Sequence, residues 1–205
     1  MYSFADAKIV HGAENPSETM RLFETIGRIS HLSGESKSDE SAGKFVRMLV
    51  RLGHESVLEH SSVTVLVECD RAMAQQWTRH RLAAYTMESQ RYVNYKSISF
   101  IDPEFRDTVD SAVTDEFHKS CAAAAVQYQK LREAGAPPED ARAVLPNCTK
   151  TTFYTTANLR AWRHIFLMRC APGAQHNIRR VMTSLLSEFY SAFPDVFYDL
   201  AEKFL

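Results

Sequence analysis

Hydrophobic and polar positions change period several times along this chain, and the changes mark its elements. In the run "SSVTVLVEC", Val63, Val65, Val67 and Cys69 alternate with Ser62, Thr64, Leu66 and Glu68, the period-2 pattern of a strand. Immediately afterwards "RAMAQQWTRHR" returns to helical spacing. Met73, Trp77 and His80 then fall at i, i+4 and i+7 on one side, with Gln76 and Arg79 on an adjacent side where both reach one ligand. Upstream, "NPSE" reads as a helix start, with Asn15 as cap and Pro16 at the first helical position, followed by Met20, Phe23 and Ile26. A second helix is predicted from about Glu40 to Leu52 on the stripe Phe45, Met48, Leu49 and Leu52, with Gly53 as terminator.

A second, partly exposed strand is predicted in "RYVNYKSISFI". Beyond it the chain reads as helical: about Asp107 to Ala134, then "PPEDARAVL", a segment near Ala157 to Cys170, and Gln175 to Phe193. In the last segment Ile178, Val181, Met182, Leu185, Leu186, Phe189, Tyr190 and Phe193 keep a 3.6-residue period, so the stripe is core or a subunit contact. The expected class is α+β, with a small antiparallel sheet packed against a larger helical part. With 205 residues and 45% hydrophobic content, the whole of 1–205 is expected to form a single domain.

Composition narrows the function classes. No basic leader followed by an apolar run opens the chain and no stretch of about 18 apolar residues occurs, so a soluble cytoplasmic protein with no membrane partner is expected. Cys69, Cys121, Cys148 and Cys170 show no CxxC spacing and are expected to be free thiols, with no metal site. The formal net charge of −1 hides a local asymmetry. Between Ala141 and Ser187 there is no Asp or Glu, while Arg142, Lys150, Arg160, Arg163, Arg169, Arg179 and Arg180 are all cationic. Such segregation calls for a nearby anion or for acids from elsewhere in the fold, and the preponderance of arginine suits bidentate recognition of phosphate or carboxylate. A solvated basic face is the plainer reading of the same charges.

Glycine-rich phosphate loops are absent, as are the H-x-E with P-C-x-x-C, HExxH and G-x-S-x-G signatures. What remains is a series of polar clusters: "GHESVLEH" (53–60), "QWTRHR" (76–81), "ESQRY" (88–92), "ARAVLP" (141–146) and "NLRAWRHIFLMR" (158–169). Taken alone, the first is a capped turn and the second a basic surface stretch.

Taken together, the clusters resemble the flavin-dependent thymidylate synthases. That family's signature is R-H-R, seven residues, then Ser; here Arg79, His80 and Arg81 precede Leu82 to Glu88 and Ser89, and Gln90, Arg91 and Tyr92 continue it. The GH-x-S-x-x-EH block stands upstream, and "ARAVLP", "NLRAW", "FLMR" and "AQHNIRR" follow in the family's order, so the likeness runs from about Arg28 to Arg180. The resemblance implies the thymidylate synthase-complementing protein fold. It places Ser30, Ser56, Glu59, Arg81, Asn158, Arg160 and His164 where the family contacts FAD, with Arg79 and His80 at the junction of flavin and nucleotide. Gln76, Arg79, Glu88, Ser89, Gln90, Arg91, Arg142 and Arg169 fall where it binds dUMP. Arg169 is then the catalytic residue that favours the N3-ionised pyrimidine, and Ser89, with no evident base beside it, positions substrate. The implied reaction moves a methylene from methylenetetrahydrofolate to C5 of dUMP, with NADPH-reduced FAD supplying the hydride. The resemblance also implies a homotetramer whose sites are shared between subunits.

Four positions depart from the family pattern: Met87 stands where Glu or Gln is usual, Ala84 for a frequent Ser, His164 where Asn is common, and Asn177 for the Glu of A-Q-x-E-I-R. They leave UMP open as an alternative acceptor. A non-catalytic nucleotide- or RNA-binding protein would also want arginine and aromatic residues, but a near-neutral chain lacks the broad basic footprint of a nucleic-acid partner.

Overall fold

The structure, a computed structural model, describes residues 1–29, 38–105 and 110–205. It is mixed helix and strand with a small antiparallel sheet, as the periodicity predicts. In chain order the elements are β1 (Tyr2–Ser3), β2 (Asp6–His11), α1 (Pro16–Ile29), α2 (Asp39–Arg51), β3 (Ser62–Asp70), α3 (Arg71–Trp77), β4 (Ala84–Met87), β5 (Phe100–Ile101), α4 (Ser111–Glu133), α5 (Pro138–Ala141), β6 (Lys150–Asn158), α6 (Leu159–Arg169), α7 (His176–Ala192) and α8 (Pro194–Phe204). The main sheet runs in the order β2-β3-β6-β4; β1 and β5 form a separate parallel pair. Among the described residues no helix is long and apolar enough to cross a membrane.

The period-2 run at 62–70 is the strand β3, and its alternate residues Val63, Val65, Val67 and Cys69 are all fully buried. The strand expected at 91–101 is confined to Phe100–Ile101. Instead, the amides of Tyr92 and Val93 both bond to the Ser89 carbonyl, and the Gln129 side chain donates to the Tyr95 carbonyl at 2.8 Å. With backbone groups satisfied by a turn and by a side chain, no ladder is required. Two elements were not anticipated. β6 occupies a stretch expected to precede helix, and α8 follows α7 through Pro194 at its first position.

By its contacts the chain divides into two compact units. One comprises Met1–Asp6, Val67–Arg79 and Thr86–Phe153; the other comprises Ala7–Leu66, His80–Tyr85 and Tyr154–Leu205. In the second, which holds α1, α2, α6, α7 and α8, the core is aromatic. The Trp162 ring lies 5.7 Å from Phe166 and 5.0 Å from Phe189, and Phe197 meets both phenylalanines edge-on. Each of these fully buried rings contributes roughly 2–3 kcal/mol of apolar burial. The Trp162 indole N–H is not stranded, because it donates to the Val63 carbonyl at 3.0 Å. Arg163 is buried among them. Its guanidinium makes a two-pronged pair with Asp199 at 2.7 and 2.8 Å and reaches Glu55 at 2.9 Å. One cation of the acid-free segment is thus a core tie, not a ligand-binding group.

In the first unit Tyr128, Phe100, Ile98, Cys121 and Ala141 make a smaller core under α4, and Trp77 packs edge-on against Phe153 at 5.6 Å. Cys121 and Cys148 are both reduced, with their sulfurs 3.4 Å apart, and all four cysteines are free as expected.

Candidate active site

The R-H-R motif does not lie on a helix. Asp70 caps α3 by accepting from the Met73 amide at 2.6 Å, and the helix ends at Trp77, where the Thr78 hydroxyl turns back to the Ala74 carbonyl at 3.0 Å. Gln76 therefore stands in α3, whereas Arg79, His80 and Arg81 continue past its end. The side expected to carry both Gln76 and Arg79, and the one expected for Met73, Trp77 and His80, are not completed, because α3 ends at Trp77.

In the larger unit, the last residue of α6 meets His80. Arg169 Nε donates to His80 Nε2 at 2.9 Å, and the His164 ring stands 6.3 Å from that of His80, edge to face. Burial, then the Arg169 charge and then His164, depress the His80 pKa to about 4. The imidazole is therefore neutral at pH 7, accepting through Nε2 and carrying its proton on Nδ1. Burial also draws the Arg169 guanidinium below its ordinary value, against the opposing influence of Tyr85. At the other end of α6, Asn158 is the N-cap, with Oδ1 accepting from the Ala161 amide at 2.8 Å. What Asn158 offers a ligand is consequently its amide N–H2. Arg160, two residues along, pairs with Glu59 at 2.5 Å. Glu59 and Ser56 lie in the 3-10 helix Glu55–His60, where the block "GHESVLEH" taken alone reads as a capped turn. Gly53 does end α2, with φ of +74°. Arg81 is exposed, and Ser30 lies outside the described residues.

In the other unit a cavity of about 420 Å³ is lined by two of the expected nucleotide residues, Gln90 and Arg142, together with Arg71, Gln75, Met87 and Asn147, among others. Arg142 donates its Nε–H to the Glu139 carbonyl at 3.1 Å, and Arg91 pairs with the Glu139 carboxylate at 2.8 Å. Glu139 thereby holds two of the expected arginines at one short helix. Ser89 accepts from the Arg91 amide through Oγ at 3.3 Å, which makes it a turn residue and fits a positioning part better than a nucleophilic one. Glu88 accepts a hydrogen bond from the Tyr95 hydroxyl. Gln76 is half-buried in α3 and Arg79 is exposed. The structure thus groups Arg169, His80, His164, Asn158, Arg160, Glu59, Ser56 and Arg81 in one unit. It groups Gln76, Arg79, Glu88, Ser89, Gln90, Arg91 and Arg142 in the other. Arg71 was missed, since a lone arginine at the start of a short helix gives no signal in sequence. Of the four departures, Met87 lines the cavity, Ala84 and His164 are exposed, and Asn177 is buried near the start of α7.

Residues 9–195 match the sequence pattern of the family described as thymidylate synthase complementing protein. The chain belongs to that family. Among the family's members, it is 38% identical over 168 residues to a flavin-dependent thymidylate synthase of Geobacter sulfurreducens, an alignment covering 80% of this chain and 71% of that protein. A protein of the same name from Pyrococcus furiosus is 34% identical, over 88% of this chain and 77% of the relative. The thymidylate synthase complementing fold is also seen in the crystal structure of a UMP/dUMP methylase, PolB, from Streptomyces cacaoi bound with 5-Br dUMP. That likeness has a TM-score of 0.82 at 22% identity and covers 99% of this chain and 97% of the other, a similarity of fold.

Proposed function

We propose that this chain is a flavin-dependent thymidylate synthase that converts dUMP to dTMP, with FAD as cofactor, methylenetetrahydrofolate as carbon donor and NADPH as reductant. The observation that carries the reading, beside the family match, is the Arg169–His80 pair. It sets a guanidinium against a neutral imidazole within the family's two most specific sequence blocks.

The donor set suits a flavin dinucleotide. Arg81 and Arg160 supply guanidinium groups for a pyrophosphate, Ser56 and the Asn158 amide supply neutral donors, and the His80 and His164 rings supply flat, polarisable edges. A bound flavin, reduced by NADPH, supplies the hydride that completes the methyl group. The protein's part is electrostatic and positional. Arg79, Arg91 and Arg142 neutralise the nucleotide monophosphate, whose charge near pH 7 is about −1.5 to −2. Gln76, Ser89 and Gln90 fix its orientation, with Glu88 held by Tyr95 behind them. Arg169, which the neutral His80 orients without competing for negative charge, stabilises the charge that develops on the uracil ring as N3 ionises and C5 becomes nucleophilic. A fixed cation there is worth several kcal/mol in a water-poor site. No cysteine lies in the family's sequence blocks, in keeping with a route that forms no thiolate adduct at C6.

We read the 205 residues as one catalytic domain acting in the cytoplasm as a homotetramer with subunit-shared sites, on the strength of the family resemblance. Purified protein is expected to be yellow, or to become so with added FAD, and to form dTMP from dUMP when methylenetetrahydrofolate and NADPH are both supplied. A colourless preparation that takes up no FAD would contradict the reading.

A further inference from the structure

The cavity in the smaller unit contains more donors than the nucleotide assignment accounts for. Arg71, at the first position of α3, projects one guanidinium N–H to the Met87 thioether at 3.3 Å and to the Glu88 carbonyl at 3.4 Å. A thioether is a weak acceptor and the carbonyl lies near the outer limit of a hydrogen bond, so neither compensates a cation. Arg71 Nε is buried with no hydrogen-bond partner. Among the described residues neither Arg71 nor Arg142 is in an ion pair; Asp70, beside Arg71, caps α3 through the Met73 amide, Glu68 pairs with Lys150, and Glu88 and Glu139 are taken up by Tyr95 and Arg91.

Gln90 repeats the pattern. Its Nε2 is buried, lacks an acceptor, and belongs to a residue lining the same cavity. Two guanidinium groups and a side-chain amide therefore surround a cavity of about 420 Å³, within the roughly 300–1,000 Å³ range of small-molecule pockets. Leaving such buried donors unpaired is costly, because each has given up its water without gaining an acceptor. A ligand that removes the cost must be anionic and dense in oxygen acceptors, and a phosphate monoester is both.

We propose that Arg71 is an additional phosphate-holding residue of the nucleotide site, acting beside Arg142 with Gln90 as a neutral donor. This rests on reading the cavity as the site of the pyrimidine monophosphate. Met87 has a part as well: its thioether touches the Arg71 guanidinium at 3.3 Å without neutralising it, so the positive charge stays available to the ligand.

The test is calorimetric titration of the purified, FAD-loaded protein with dUMP and with deoxyuridine, which lacks the phosphate. In Arg71→Gln the affinity for dUMP is expected to fall about 10- to 100-fold while that for deoxyuridine stays within about twofold, and Arg71→Lys is expected to lie between wild type and Arg71→Gln. Circular dichroism and the unfolding midpoint establish that each variant is folded, and Arg71→Lys serves should Arg71→Gln not fold. Equal losses for dUMP and deoxyuridine, or full dUMP affinity in Arg71→Gln while Arg142→Gln is weakened, would overturn the role of Arg71 and leave the nucleotide assignment standing. Wild-type protein that binds no dUMP, or an Arg142→Gln variant with undiminished affinity, would overturn the assignment itself and the role of Arg71 with it.

Discussion

Arg169 donates its Nε–H to Nε2 of His80 across 2.9 Å, and so fixes the tautomer of the central residue of the R-H-R motif. The imidazole accepts this bond only while it is neutral, which matches its pKa of about 4, lowered by burial, by Arg169 and by His164. Its nuclear magnetic resonance titration is therefore expected to show no protonation between pH 8 and 5.5. In Arg169→Gln the midpoint should rise toward the ordinary value near 6.5. Because the folded pKa lies below the unfolded one, the unfolded chain binds the extra proton first. His80 thus stabilises the fold above pH 6.5, and that contribution is lost as the pH falls toward 4. A His80 titration near 6.5 in the wild type would contradict the geometry.

Arg169→Ala is expected to lower kcat by at least about 100-fold while leaving the far-ultraviolet circular dichroism unchanged, because the side chain is half-buried and ends a helix instead of tying core elements. Retention of wild-type turnover in a folded variant would remove Arg169 from the chemistry.

Arg163 has the opposite character. It too is an arginine of the acid-free segment, but it is buried and bonded to Asp199, Glu55 and the Val196 carbonyl. Arg163→Ala strands two carboxylates and is expected to cost about 2–4 kcal/mol, at the low end of buried ion-pair losses because Asp199 is partly exposed. Urea unfolding measures it. Burial tends to raise the Asp199 pKa, but the Arg163 hydrogen bonds and charge more than offset this and hold it below the ordinary carboxylate value. That depressed pKa adds stability above about pH 4, lost as the pH falls through the folded value.

Gly12 and Gly135 share a φ of +93°, yet they are not equivalent. A Cβ on Gly12 would stand 2.2 Å from the Ser62 carbonyl oxygen, whereas one on Gly135 meets nothing within 4 Å. Gly135→Ala is expected to cost about 1–2 kcal/mol from its backbone conformation alone. Gly12→Ala should cost distinctly more, since backbone must also move. Paired thermal melts compare them, and equal losses would contradict the close approach.

The thiols are expected to be inert near pH 7. Burial raises Cys69, Cys148 to about 12 and Cys170 to about 11, and Cys121 is raised as well. Ellman's reagent should react slowly with folded protein and with all four cysteines after denaturation. Rapid reaction of a native thiol would overturn this.

Much of this was legible in the sequence, and what was missed has physical causes. β3 showed itself because its buried face is valine and cysteine. β6 did not, although Thr151, Phe153, Thr155 and Ala157 alternate just as strictly, because two of its buried side chains are threonines and count as polar in a hydrophobicity pattern. The false strand at 91–101 rested on β-favouring residues whose backbone is instead satisfied by the Ser89 turn and Gln129. The family blocks located His80, Arg169, Asn158 and Arg142. They could not show that Asn158 spends its oxygen on a helix cap, or that Arg71 reaches a cavity lined by Gln90 and Arg142, since both depend on distances between segments.

The central claim is that this chain methylates dUMP at C5 with a flavin, and release of tritium from [5-³H]dUMP measures that step most directly. Release to water is expected only when FAD, NADPH and methylenetetrahydrofolate are all present, and far more slowly or not at all from [5-³H]UMP. Flavin-loaded protein that binds dUMP and yet releases no tritium under those conditions would contradict it.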